Sequence, residues 1–352
     1  MNPVKTPLDP KAIKLLANYD VPGILYGLAV SGDGKTLFGA GQDGALHSVD
    51  LRADKPKVTK QNPFHDNYVS SFVWHDGILI SGSYDRHIHW TDPKTGNCVR
   101  SIIAHDGWVR KIAMTPDAKH LVSIGDDMRV NVWDSRDGKR LASMTGHEAR
   151  TPEGYLSAMY ALAVSPDGRH IASGDRAGFV CVWDLSTGKT VSAFRATDFY
   201  TFDAQKRARA IGGVRGLCFS ADGNRLAVSG IGAVTNVDGF VGPCRLEWWD
   251  WKAAKRLMIG QDKHLAILNH VILGTDEKSL IAVGGGDGGG AMVFWNGTDA
   301  PPQVAKPKGH LQAVLLNPDD NRLYAVGHGG FQVWGMDESP KGNPDPRRLL
   351  PF

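Results

Sequence analysis

The sequence predicts an all-β fold, a seven-bladed β-propeller of four-stranded antiparallel blades closed by the N-terminal strand. Three observations predict it. A core of the type "VWD" recurs seven times, ending at Asp50, Asp92, Asp134, Asp184, Asp250, Asn296 and Gly335. A polar turn of the type "SPDG" precedes each core, with Asp33, Asp76, Asp117, Asp167, Asp222, Asp276 and Asp319 in its third or fourth place. Helical periodicity is absent through the body of the chain.

The core ends are spaced by 42, 42, 50, 66, 46 and 39 residues. A period near 40 that stretches without vanishing marks a repeat architecture. From turn aspartate to core end the distances are 17, 16, 17, 17, 28, 20 and 16 residues. Two markers in step through seven units override the length prior, which for 352 residues would allow two or three domains. A unit this short does not bury a core alone.

Each unit reads as four strands, named a to d with d outermost. In the third, "VRKIAMTPD" runs up to the turn at Pro116-Asp117, "KHLVSIG" returns, "MRVNVWD" goes out and "KRLASMTG" comes back. Runs of four to eight residues rich in Val, Ile, Leu and Trp, bounded by Gly, Asp and Pro, are antiparallel strands. The other cores are "LHSVD", "IHWTD", "FVCVWD", "LEWWD", "MVFWN" and "FQVWG". The seventh unit supplies strands a to c and then enters "GMDESPKGNPDPRRLLPF", whose prolines make a poor strand. Residues 11–19, "KAIKLLANY", precede the first strand a and are expected to serve as strand d of the last blade. The expected domain is therefore residues 1–335, followed by a Pro-rich tail at 336–352.

The residues resemble the WD-repeat β-propellers over about residues 11–335. The third blade carries the resemblance best, with His105, Ser123, Asp127 and Trp133 at the positions of that family's structural hydrogen-bond tetrad. The resemblance implies a buried network there, without catalysis. Elsewhere the pattern thins. The fourth blade keeps His147, Ser173 and Trp183, with Ala177 in place of the turn aspartate. The second keeps His65, Ser81 and Asp85, with Thr91 in place of tryptophan, and the first has Val49 there.

Composition bounds the function. Hydrophobic residues at 42% and charged residues at 22% describe an ordinary globular chain, and 42 glycines fit many tight turns. A formal charge of +3 is too small to point to nucleic acid or membrane. No apolar h-region opens the chain and no run is long enough to span a bilayer. Cys98, Cys181, Cys218 and Cys244 lie in different units without CxxC spacing, so buried reduced thiols and a cytoplasmic setting are expected.

The chain spends its extra length in one region. In an antiparallel meander the b–c and d–a loops share one end. From core end to the next turn aspartate the distances are 26, 25, 33, 38, 26 and 23 residues. The d–a loops into the fourth and fifth blades and the b–c loop of the fifth are therefore long, and all three share that end. They are "HEARTPEGYLSA" from His147, "RATDFYTFDAQKRARAIG" from Arg195, and "SGIGAVTNVDGFVGPC" from Ser229. Long loops in a compact domain are commonly functional. The middle one offers Phe199, Tyr200, Lys206, Arg207 and Arg209. Positions flanking strand a add Tyr26, Tyr68, Trp108, Arg110, Tyr160 and Arg215, and the b–c turns add Tyr84 and Arg176. Tyr, Trp and Arg dominate interface hot spots.

Catalytic readings find little support. His87 and His89 alternate on one strand face, and "HDNY" and "HDGW" precede strand a, where the family places tetrad residues. Neither G-x-S-x-G nor HExxH occurs. "GGGDGGGAMVF" is followed by a strand, whereas a phosphate cradle needs a helix N-terminus. Lys206, Arg207 and Arg209 are too few, beside Asp198 and Asp203, for a nucleic-acid site. The expected function is a non-enzymatic scaffold, without cofactor or metal, that binds a protein or peptide on the face carrying the b–c and d–a loops. The alternative is a propeller enzyme or small-ligand binder, which needs several carboxylates or histidines converging at the central channel mouth.

Overall fold

A computed structural model of the chain describes residues 9–204, 209–238, 241–317 and 321–336. Among them no α-helix occurs, and the one helical turn is a 3-10 turn at Thr197–Phe199. The fold is a propeller of four-stranded antiparallel blades. The third blade runs Val109–Met114, His120–Gly125, Arg129–Asp134 and Arg140–Thr145, each strand paired with the next. The burial pattern follows position in the blade. Four residues of Arg129–Asp134 are buried, whereas the outermost strand alternates with solvent.

Five sheets have four strands and one has six. The six-stranded sheet contains two blades, because Lys14–Val30 is one continuous strand serving both. Its first part pairs with the end of Arg322–Gly335, from Lys14 opposite Gly335 to Asp20 opposite Gly330. Its last part pairs with Thr36–Gly41, as in Val30 opposite Leu37. The first part is strand d of the seventh blade, and the last is strand a of the first. Arg322–Gly335 also does double duty, since Arg322 through Gly327 pairs with Leu311–Asn317. Gly329 and Gly330 turn it back at φ of 85° and 113°, a region that L side chains rarely enter.

Ring closure is visible in the core. The seven a strands touch in chain order, and the last touches the first. Seven apolar clusters fill the seven gaps between neighbouring blades. One joins Ile80, Ile88 and Trp90 of the second blade to Ile112, Leu121 and Trp133 of the third. Another joins Leu25 and Leu37 of the first to Tyr324 and Phe331 of the seventh. Burying a Leu, Ile or Phe fully is worth roughly 1.5–3 kcal/mol. Each blade has two apolar faces and spends both on neighbours, which is why the ring must close.

Candidate functional site

Residues at the start of each strand a stand at the inner rim of the b–c and d–a end. Neighbouring blades therefore place their side chains against one another. Tyr26 and Tyr68 stack with ring centres 6.0 Å apart, Tyr68 and Tyr84 lie 5.8 Å apart, and Tyr84 and Trp108 stack at 4.4 Å. Trp108 remains 44% exposed. Arg110, two residues along on the same strand face, lies over both Tyr84 and Trp108 at 5.0 and 4.8 Å. It donates to both Asp126 oxygens at 2.6 and 2.8 Å and to the Tyr84 hydroxyl at 3.1 Å. Tyr160 continues the row, 5.4 Å from Arg110 and 3.9 Å from Arg215. Arg215 donates through Nε to the Gly212 carbonyl at 3.0 Å. Burial raises the Tyr26 hydroxyl pKa, and Tyr84 and Tyr68 add to the effect.

Beside this row, the three insertions form a wall. Within 195–212, Tyr200–Asp203 pairs antiparallel with Arg209–Gly212 as the two arms of a hairpin. It leans on the other two. Tyr200 donates its hydroxyl to Glu153, and Phe202 meets Tyr155 with ring centres 5.9 Å apart. Val234 donates its backbone N–H to Thr201 Oγ1 at 3.1 Å. Ile211, Ile231, Val234, Val237 and Ile267 make an apolar cluster beneath. Burial and Glu153 push the Tyr200 hydroxyl up to about 12.

The wall is anchored by residues that sequence reading missed. Arg245 spans Asp198 at 2.5 Å and Glu247 at 2.6 and 2.8 Å, and Trp249 Nε1 donates to Glu247 at 2.8 Å. Arg256 joins both carboxylates. Glu247 is fully buried. The signal was "CRLEWWD", an arginine and an acid two positions apart in a strand rich in Leu and Trp. Such a charge must be paired where it is buried.

Several expectations need correction. Phe199, expected on the binding surface, is 0% exposed. It packs against Phe194, Val214 and Trp249 because the 3-10 turn tucks it between the fourth and fifth blades. Cys98, expected buried, is exposed on an outermost strand. In the fourth blade the carboxylate paired with His147 is Asp175, two residues before Ala177, at 2.9 Å. Lys206 and Arg207 lie outside the described residues. Arg209 is placed by its backbone, opposite Asp203. Arg176 lies beside the row and donates weakly to the Leu156 carbonyl at 3.4 Å.

In the third blade His105 Nδ1 donates to Asp127 at 2.8 Å, while Nε2 and Trp133 Nε1 meet the Ser123 hydroxyl at 2.8 and 2.9 Å. The same chain runs through His147, Ser173 and Trp183 in the fourth blade. In the second, His65 joins Asp85 and Ser81, but Trp90 instead donates to the Ser135 carbonyl of the third blade. His87 and His89 lie beside one another, and His89 stacks on His65 at 3.9 Å. Among the described residues no group of three or more His, Cys, Asp or Glu is placed to hold a metal ion.

The family model described as "WD domain, G-beta repeat" matches residues 96–134 and 138–184, the stretch that contains both complete tetrads. The chain contains WD repeats. Curated relatives match parts of the chain. The nuclear distribution protein nudF of Aspergillus niger is 38% identical over 87 residues, 24% of this WD-repeat chain and 20% of the relative. The nuclear distribution protein PAC1 of Gibberella zeae is 37% identical over 73 residues, 20% of this chain and 16% of the relative. The nuclear distribution protein nudF 2 of Penicillium rubens is 28% identical over 147 residues, 36% and 32%. The matched segments thus span a third or less of these relatives. No helix among the described residues is long and apolar enough to cross a membrane.

Proposed function

We propose that this chain is a non-enzymatic interaction scaffold that seats a protein or peptide on the face formed by its b–c and d–a loops. The observation that carries the reading is the continuous row Tyr26–Tyr68–Tyr84–Trp108, extended through Arg110 and Tyr160 to Arg215. Rigid aromatics and stacked arginines at an open rim supply contact area at little entropic cost. The three insertions raise a wall on one side only. The innermost strands argue against the catalytic alternative: residues 25–30, Val69–His75, Val109–Met114, Met159–Val164, Gly216–Phe219, Ile267–Leu273 and Leu311–Asn317 carry no Asp or Glu, and His75 and His270 are their histidines. The nuclear distribution role named for the relatives is not carried over, because the matched segments cover a third or less of those proteins.

Affinity capture with the full chain tests the reading when three forms are compared: wild type, Trp108→Ala, and Lys139→Glu in a c–d turn at the opposite end. A partner held by wild type and Lys139→Glu but lost by Trp108→Ala is expected. A partner lost only by Lys139→Glu would put the binding face at the other end.

A further inference from the structure

The row of rings is electrically lopsided. At the end formed by the second and third blades, Asp66 and Asp106 are exposed, beside Tyr68 and Trp108. In the middle, Arg110 is neutralised by Asp126. At the end formed by the fourth and fifth blades stand Arg176 and Arg215. Their hydrogen bonds go to backbone carbonyls, of Leu156 and Gly212, and no carboxylate among the described residues pairs with either. A guanidinium carries five N–H donors in a fork, so most of each fork is unused. Burial holds the Arg215 pKa below its ordinary value against the opposing effect of Tyr160, and the like charges of Arg110 and Arg176 act with burial. A half-buried cation stacked on a ring at 3.9 Å, with like charges for neighbours, gains most from an incoming anion.

We propose that Arg215 and Arg176 form a seat for a single carboxylate of a bound peptide, whose neighbouring apolar side chain lies on the Tyr84–Trp108 stack. The proposal rests on the docking face described above and names the chemistry of its occupant. A polyanion fits worse than a single acid. A phosphate backbone that followed the row toward Trp108 would meet Asp106 and Asp66, and like charges across an interface are costly. A peptide with one acid at the arginine end, and an apolar or basic residue toward the other, matches both ends.

The test is a selection of random displayed peptides on the full chain, followed by titration of synthetic versions of the enriched sequences. Each peptide is made as free acid and as C-terminal amide, and with its acidic residue changed to the amide side chain. We expect enriched peptides to carry an Asp or Glu, or to need a free C-terminus. Neutralising that carboxylate should cost about tenfold in affinity on wild type and little on Arg215→Met, which keeps the apolar stem on Tyr160. Arg176→Gln, at the neighbouring position, gives the same comparison should Arg215→Met fail to fold. The two peptide forms tell a side-chain carboxylate from a chain end. Peptides that lose binding on Trp108→Ala yet show no dependence on an acid overturn the carboxylate seat and leave the docking face standing. No enrichment, or binding indifferent to Trp108→Ala and both arginine variants, overturns both. Tighter Arg215-dependent binding of a labelled oligothymidylate than of any peptide would assign the seat to phosphate instead.

Discussion

His147 donates through Nδ1 to Asp175 at 2.9 Å, and neither side chain reaches solvent. Asp175 closes the last position of strand b, whereas in the second and third blades the aspartate follows that strand by two residues. Its other oxygen accepts the backbone N–H groups of Ala177 and Phe179 at 2.8 and 2.9 Å, so it also shapes the b–c turn. Asp175→Ala should therefore strand two turn amides and a buried imidazole together. Leaving buried groups unsatisfied costs about 1–3 kcal/mol. The denaturant midpoint is the measurement, with Ala177→Asp as a control that is expected to restore nothing in the Asp175→Ala background.

This pair also marks the limit of the sequence reading. The ring itself was legible, because core and turn kept step through seven units and each blade's alternation showed two apolar faces. Tetrad residues are assigned from the sequence by counting positions, and the fourth blade supplies its carboxylate from a different count. Phe199 was misplaced for a related reason. An aromatic in a long insertion looks exposed until the chain is known to turn inward at Thr197–Phe199. Stacking along the rim from Tyr26 to Trp108 was not readable at all, since those contacts join residues 42, 16 and 24 positions apart, two of the three across neighbouring blades.

The histidines predict how the ring responds to acid. Burial, and then the His65 charge, push His89 down to about 4, and burial with Lys111 nearby pushes His270 down to about 3. The ordinary value is about 6.5. Between these limits the unfolded chain binds protons that the folded chain refuses, so stability rises with pH across that window and falls as pH drops from about 6.5 toward 4. Asp85 adds a second loss. Burial works to raise it, but the His65 hydrogen bond and charge hold it well below the ordinary range. That contribution is present above about pH 4 and disappears as pH falls further. Melting temperature measured from pH 7 to pH 4 should decline in wild type and decline less in His89→Gln. An identical slope in the variant would remove His89 from the account.

Closure by Lys14–Asp20 predicts a strong effect of a small truncation. Removing residues 1–20 would bare the edge of Gly330–Gly335 and uncover part of the cluster that holds Phe331 and Val333. Unpaired edges recruit other chains. The truncated protein is expected to melt lower and to aggregate in sedimentation. A monomer with the wild-type melting temperature would show that the seventh blade stands without its outer strand.

The wall has its own dependence on a buried charge. Glu247 accepts from Arg245 and Trp249 with no access to water, and Arg245 carries the bond on to Asp198 beside the hairpin. Glu247→Leu removes the acceptor and leaves Arg245 largely buried beside the half-exposed Asp198. Breaking one side of a buried pair costs about 3–5 kcal/mol. Asp198→Ala should cost far less, because that carboxylate is partly solvated. Hydrogen exchange in 199–212 should speed up in both variants, while global stability falls only in the first. Unchanged exchange in both would mean that the hairpin is held by its contacts with Glu153, Tyr155 and Val234 alone.

Trp108 and the 195–212 hairpin separate contact from support. Trp108 is the most exposed of the stacked rings and lies against Arg110 and Tyr84, so a partner that covers it removes the remaining water from all three. Trp108→Ala is then expected to cost about 2 kcal/mol of binding, roughly a 30-fold loss. Tyr84, Arg110 and Asp126 stay bonded to one another, so the blade should keep its stability apart from the lost stacking. The hairpin behaves differently. A Gly-Ser link in place of 195–212 would also delete Phe199 and part of the apolar cluster under the wall, so the fifth blade should weaken along with binding. A gentler replacement of 200–210 alone keeps Phe199, Ile211 and the Gly212–Arg215 contact. That variant should retain the melting temperature of the ring and lose several-fold in affinity, because a surface loop of this length adds little to closure entropy. Titration of the captured partner against Trp108→Ala, the 200–210 replacement and Lys139→Glu orders the three. If Lys139→Glu alone weakens binding, the partner sits at the opposite end, and the row from Tyr26 to Arg215 serves only to cover the inner rim of the blades.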